Sequence, residues 1–404
     1  MPASEMRVPP TVGLDASELL TDLVGLRRHL HAHPEVGLDL PETQTAILDA
    51  LADLNLDVTT GTGLTSVTAV LRGNRPGPVV LLRSDMDALP VREATGLPFA
   101  SHSGAMHACG HDLHMAGLVG AARLLANHRE ELPGTVIFMF QPGEEGYAGG
   151  KMMIEEGGLD AAGARPVAAY AVHVDCTTPH GQAVTRSGPM MASVSALHLT
   201  VRGTGGHAAY PHLSVDPVPV IAEVILAVQT FVARRIPVTD PAVVSITRIT
   251  SDSAAGNVLA AAVSLEVNVR TLSRATLETI RTELPTLIRR ITEAHGCTLE
   301  SRFVDSYPVT VNDADETERV FAVLNDLYGD RTMRLPSPGM ASEDFAYVLD
   351  EIPGALVFLG VQPPPASGIT SGAMHSERAR FDDALLAEHA ALLAELAWRR
   401  LTDP

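Results

Sequence analysis

The sequence predicts an α/β protein in two domains, an open α/β sheet interrupted by an inserted α+β unit. Three observations carry that prediction. Short apolar runs that read as strands, at residues 79–83, 135–140, 168–174 and 355–359, are separated by stretches with helical spacing. Between the third and fourth lies the order β-α-β-β-α-β, a ferredoxin-like split unit. At 404 residues the chain also exceeds one ordinary core.

Composition narrows the function classes. With 46% hydrophobic and 19% charged residues the chain is globular rather than disordered. A net charge of -19 repels phosphates, which argues against nucleic acid or an anionic membrane as partner. Cys109, Cys176 and Cys297 are odd in number and widely spaced, so no disulfide framework is expected and a reducing compartment fits. The first 15 residues lack the basic-then-apolar order of a signal peptide, and no uncharged apolar run reaches about 18 residues. A cytoplasmic protein is expected.

In chain order, residues 19–33 carry apolar positions at helical spacing and stop at Pro34. His29, His31 and His33 alternate, which scatters them around a helix; structural or surface roles are expected. Pro41 opens a second helix with Ile47, Leu48, Leu51 and Leu54. Strands at 67–71 and 79–83 flank a turn-rich segment, and the second runs into Ser84-Asp-Met-Asp-Ala-Leu-Pro90. Asp85 and Asp87 share one face of extended chain where sites form in open sheets, or else serve as loop solvation or a helix cap.

Next comes His107-Ala-Cys-Gly-His-Asp-Leu-His114, with one cysteine, three histidines and one aspartate in eight positions before a helix at 115–125. A thiolate and imidazoles can ligate a metal. Cys109 alone could be a small buried hydrophobe. The strand 135–140 ends in Gln141-Pro-Gly-Glu-Glu-Gly146. Adjacent side chains point apart, so one of Glu144 and Glu145 can coordinate while the other acts as general base; most isolated pairs of this kind are solvated surface. After a helix at 150–156, His173 in strand 168–174 is either a satisfied core histidine or a ligand at the strand end.

From Gly188 the texture changes. A strand at 193–202, the loop Gly203-Thr-Gly-Gly-His-Ala-Ala209, a helix at 216–234, strands at 243–250 and 258–270, a helix at 275–295 and a strand at 298–304 form the inserted domain. Its limits fall at 187–305, leaving 1–186 and 306–404 as a discontinuous first domain. There a helix at 316–327 and the strand 355–359 precede His375, and a helix to residue 401 follows. Asp85, Asp87, Cys109, His111, Glu144, Glu145, His173 and His375 thus all sit at expected strand ends or helix starts. One or two transition ions would suit such donors, and a pair about 3.5–4 Å apart would activate a bridging water. Asp87 would then orient a ligand and Glu144 would take the water's proton.

Arg28-His-Leu-His-Ala-His-Pro-Glu-Val-Gly37, the Asp85 and Cys109 motifs, Gln141-Pro-Gly-Glu-Glu-Gly146, Gly205-Gly-His-Ala-Ala209, Asn257-Val-Leu, Ser342-Glu-Asp-Phe345 and His375 occur in that order. Together they resemble the amidohydrolase branch of the aminoacylase and carboxypeptidase G-like di-metal peptidases, which includes hippurate hydrolases and auxin-amino-acid conjugate hydrolases. The resemblance spans essentially the whole chain. It implies a mixed-sheet, three-layer α/β/α catalytic domain with the ferredoxin-like insertion as lid and dimerisation domain. By it, Cys109, His111, Glu145, His173 and His375 hold two divalent ions (Zn, or Mn, Co or Ni), with Cys109 standing where other relatives use a bridging carboxylate.

The same resemblance makes Glu144 the base and proton donor, Asp87 its supporting aspartate, and His207 an oxyanion stabiliser given by a partner subunit. It leaves Asp85 outside the ligand set. Asn257 and Arg270 would bind a substrate carboxylate; a surface ion pair is the alternative for Arg270. Ala260 and Ala105 depart from the family pattern, the first beside the carboxylate pocket. The implied reaction cleaves N-acyl-L-amino acids, or similar amide conjugates, to a carboxylic acid and an amino acid, in a homodimer or homotetramer. A dipeptidase or carboxypeptidase, or a non-catalytic metal-binding relative, are the alternatives.

Overall fold

A computed structural model of the chain describes residues 15–368 and 370–403. The stretch read for a leader lies outside the described residues, Asp15 apart. Two compact units divide the chain. One runs to Gly188 and takes in Val311–Pro336 and the residues from Tyr347 on; the other is Pro189–Thr310 with Ser337–Ala346.

The first unit is built on an eight-stranded mixed sheet. From one edge its strands are Asp57–Thr60, Val67–Arg72, Pro133–Gln141, Arg75–Asp85, Ala168–Asp175, Gly354–Gly360, Ala183–Thr185 and Thr332–Arg334. The third to sixth are mutually parallel. Apolar runs such as Val79–Val80–Leu81–Leu82 stay unbroken because both faces are covered, as parallel strands require. The helices Ala16–Ala32, His111–Asn127 and Leu386–Thr402 pack on one another, the last two also on the sheet. Pro41 stands at the first turn of the helix Pro41–Leu51, and Asp313 caps Ala314–Tyr328 by accepting from Asp315 N and Glu316 N. The α/β class read from the sequence is what the structure has.

The second unit is a four-stranded antiparallel sheet in the order Ala242–Ser251, Ala262–Thr271, Ser193–Arg202, Thr298–Tyr307. The helices Pro217–Arg235 and Arg274–Ala294 complete the split β-α-β-β-α-β unit. Among the described residues Pro217–Arg235 alone is long and apolar enough to cross a membrane; its Val220, Ile221, Val224, Val228 and Phe231 instead enter the core of this unit.

Two boundaries differ from expectation. The strand expected at 258–270 is two pieces, Val258–Leu259 and Ala262–Thr271, because Ala261 N bonds the Asp252 carboxylate while Asp252 N bonds Ala262 O. The unit also ends past 305 and includes 337–346. Its own hydrogen bonds draw that segment in: Ala192 N to Ala341 O, Gly339 N to Met190 O and Arg270 Nη1 to Met340 O.

Candidate active site

The parallel strands deliver the candidate donors to one edge, the carboxyl ends where open α/β sheets form sites. Arg75–Asp85 ends in Asp85 with Asp87 just beyond, Pro133–Gln141 leads to Glu144 and Glu145, and Ala168–Asp175 carries His173. His375 follows Gly354–Gly360 and has φ of +64°. That left-handed backbone is uncommon outside glycine and is held by a bond from His375 N to Ala108 O. His111 begins the helix His111–Asn127 behind Gly110, whose φ is +87°. A Cβ at Gly110 would lie 2.4 Å from Val174 Cγ2, so glycine lets the helix start this close to the strand.

Four of these side chains meet at short range. Cys109 Sγ lies 3.3 Å from His375 Nε2 and 3.6 Å from His173 Nε2. His375 Nε2 is 3.2 Å from Glu145 Oε1. His111 places Nε2 3.6 Å from Asp85 Oδ2, and its Nδ1 donates to Asp87 O at 2.7 Å, which fixes the tautomer. His173 likewise donates from Nδ1 to Val174 O at 2.7 Å, leaving Nε2 free to coordinate. Glu144 offers a carboxylate oxygen within 4.8 Å of the ligand atoms of His111 and Glu145.

This donor set fits divalent metal. His111 Nε2 is buried and makes no hydrogen bond, a costly state for a polar atom unless something completes it. A thiol, three imidazoles and a carboxylate are a borderline-soft set suited to Zn and its neighbours. Asp85 and His114 also crowd this edge, with His111 and His173. Their atoms, however, are already engaged. Asp85 Oδ1 bonds His114 Nδ1 and Oδ2 accepts from Arg83 Nη1 at 2.8 Å, while His114 Nε2 accepts from Val174 N at 2.8 Å. Each Asp85 oxygen thus already accepts a hydrogen bond, one from His114 and one from Arg83.

Asp87 has a more definite role than the sequence suggested. Its two carboxylate oxygens accept from Glu144 N at 2.8 Å and Glu145 N at 3.0 Å, so one side chain holds the backbone of both glutamates. Burial pushes its carboxyl up to about 6, against the pull of His111 and of those two amides.

The remaining polar residues of the Cys109 motif brace the helix. Asp112 accepts from Arg27 Nε at 2.7 Å and from His31 Nδ1 at 2.8 Å, and His31 Nε2 lies 3.2 Å from Glu93 Oε1, all four groups inside the protein. Burial opposes the Asp112 charge, but Arg27 and His31 outweigh it and hold the carboxyl far below its usual range. Arg27 and Glu93 were not singled out in the sequence, since nothing in a helical arginine or a loop glutamate marks it as buried. His31 takes the structural role expected of it.

In the second unit, His207 and Asn257 share one small ribbon. Gly206–His207 pairs with Val258–Leu259 in the register Val258↔His207, and Ala208 N bonds Asn257 O. Both side chains are exposed. Arg270 is half-buried and donates to Asn268 Oδ1 at 3.1 Å as well as to Met340 O at 2.9 Å. Both partners are neutral, and among the described residues Arg270 makes no surface ion pair.

An open α/β sheet with thiol, imidazole and carboxylate donors gathered at its carboxyl edge, beside a buried glutamate, is the arrangement of a metal-dependent hydrolase. The comparisons with known proteins agree. The chain belongs to peptidase family M20/M25/M40, whose model matches residues 81–399. It is 36% identical over 388 residues to IAA-amino acid hydrolase ILR1-like 5 of Arabidopsis thaliana, covering 94% of this chain and 87% of that protein. It is 35% identical over 360 residues to thermostable carboxypeptidase 2 of Saccharolobus solfataricus, covering 86% and 88%. A solved dinuclear metal-binding peptidase of the M20 family from Bacillus subtilis superposes with a TM-score of 0.83 at 30% identity, over 96% of this chain and 99% of that one.

Proposed function

We propose that this chain hydrolyses the amide of an N-acyl-L-amino acid, or a similar conjugate, to a carboxylic acid and a free amino acid. The observation that carries this reading is the pairing of Glu144 and Glu145 under the single Asp87 clamp, one beside the thiol and imidazoles and the other buried next to them. Cys109, His111, Glu145, His173 and His375 would hold two divalent ions, Zn or one of Mn, Co and Ni. When bound, such ions lower the pKa of water and polarise the amide carbonyl. Glu144 takes the proton from the attacking water and passes it to the leaving amine nitrogen. The partner subunit's His207 donates to the developing oxyanion, and Asn257 and Arg270 bind the carboxylate of the amino-acid moiety.

Replacing Glu144 with Gln should cut kcat by at least about a hundredfold while metal content stays at the parent value. His207→Ala should lower kcat by about 10²–10³-fold, again with metal retained. Full turnover in Glu144→Gln would remove it as the base; full turnover in His207→Ala would remove the second unit from the chemistry. A second reading, carboxypeptidase or dipeptidase action, draws on the likeness to the Saccharolobus enzyme. Parallel assays of N-acetyl and N-benzoyl amino acids and of dipeptides decide between the two.

The second unit is proposed as lid and dimerisation domain. Its outer strand Ala242–Ser251 pairs on one side only and exposes Val243 and Ile249, so it is free to join a homodimer or homotetramer. Light scattering that gives a monomer at micromolar concentration would overturn this. Three buried cysteines, none in a disulfide, support a cytoplasmic location, which cell fractionation tests.

A further inference from the structure

The groove between Pro217–Arg235 and Arg274–Ala294, about 860 Å³ and lined by Leu226, Phe231 and Leu287, has nothing to say what would cover it. The cavity of about 240 Å³ beside Tyr170, Arg319 and Arg400 has more acids than arginines around it, and a single water would satisfy the buried spare donor Arg400 Nη1. A stronger case lies at the splay between two neighbouring strands of the large sheet.

Strands Arg75–Asp85 and Ala168–Asp175 pair in parallel only as far as Arg83↔Ala171. Beyond that register the two diverge, and the N–H of Val174 finds a side chain instead of a strand. It donates to His114 Nε2 at 2.8 Å. An amide N–H can only donate, so Nε2 carries no proton, and the proton sits on Nδ1. From there it is shared with Asp85 Oδ1 at 2.5 Å. Both ring nitrogens are committed, the ring is 2% exposed, and it stacks on His111 one turn earlier with centroids 5.3 Å apart.

We propose that His114 is a positioning residue which, by bridging Asp85 and the Val174 peptide, sets the spacing of the donors carried by three separate elements. Val174 also accepts from His173 Nδ1 at its carbonyl, one peptide unit further on, so holding its N–H steadies the residue against which His173 aims Nε2. Asp85 leads directly to Asp87, which accepts His111 at its carbonyl and the two glutamate amides at its carboxylate. The helix that bears His114 also starts at His111. One imidazole therefore ties together the routes to His173, His111, Glu144 and Glu145. Groups that orient ligands in this way are worth about 10–100-fold in metal affinity.

The inference rests on the metal-site reading proposed above, and the test separates the two. Metal-free protein is titrated with Co(II) alone, recording the thiolate-to-Co charge-transfer band and the visible ligand-field bands. His114→Asn keeps a donor near Asp85 and loses the acceptor for Val174 N–H; His114→Gln does the reverse; His114→Phe loses both while filling the space. Parent protein should show the thiolate band. His114→Phe should bind Co(II) about 10–100-fold more weakly with shifted ligand-field bands, and the two amides should fall between. If His114→Phe does not fold, weaker binding with shifted bands in both amide variants is the supporting result. Affinity within twofold of the parent and an unmoved spectrum, in whichever of these variants fold, would overturn the positioning role alone. Absence of any thiolate band in the parent would overturn the metal site and this inference with it.

Discussion

Asp87 illustrates how much of this site is decided by single oxygen atoms. Both of its carboxylate oxygens are spent on the Glu144 and Glu145 amides, and its carbonyl on His111. Asn at this position keeps one acceptor and turns an NH₂ group toward the other amide, leaving a buried donor opposed by a donor. Asp87→Asn should therefore weaken metal binding by about 10–100-fold, read by competition with a chelator. Binding within twofold of the parent would show that the clamp is dispensable. His111 and His114 make the same point about legibility. They are one residue type, three apart on one helix, and the sequence marks both as donors. Which nitrogen is spare follows only from the hydrogen bonds, to Asp87 O in one case and to Asp85 and Val174 in the other.

Among elements, the start of the helix His111–Asn127 bears the tightest steric demand. Gly110 needs a positive φ, and a Cβ there would meet Val174 Cγ2 at 2.4 Å and Phe381 Cε1 at 3.0 Å. Alanine adds left-handed strain of about 1–2 kcal/mol and overpacking of about 1–3 kcal/mol. Gly110→Ala should lower the thermal midpoint of the metal-free protein by several degrees. An unchanged midpoint would mean the turn relaxes freely. The strands and helices of both units were largely legible, because apolar runs and 3.6-residue spacing report burial directly. The break at Ala260 and Ala261 was not, since it is imposed by Asp252 across the loop rather than by any residue in the apolar run.

Across the whole molecule, buried neutral histidines lead the response to acid, partly offset below about 6 by Asp87, whose raised carboxyl takes up its proton in the folded state first. Burial pushes His107 and His114 down to about 3 and His389 down to about 4. Below the unfolded value near 6.5, the unfolded chain takes up protons that these rings refuse, so stability falls as pH falls from about 6.5 toward 4. The Asp112 carboxyl, held low by Arg27 and His31, keeps its contribution through this window and loses it only at stronger acid. In metal-free protein the urea midpoint should therefore drop between pH 6.5 and 4, and less steeply in His389→Gln. Equal slopes in parent and variant would exclude His389 from the response. This set is not readable from spacing, for it depends on how distant segments stack, whereas the candidate donors could be traced to expected strand ends and helix starts.

Cys109 and His375 touch across 266 residues of chain. At about 5–20 residues per second, synthesis leaves that cysteine without its histidine for tens of seconds. During that interval the nascent thiol has neither its full set of neighbours nor the final strand end to shield it. The contacts of Cys109 with His375 can close only after His375 has been made, and until then the thiol is open to the first, reversible steps of oxidation.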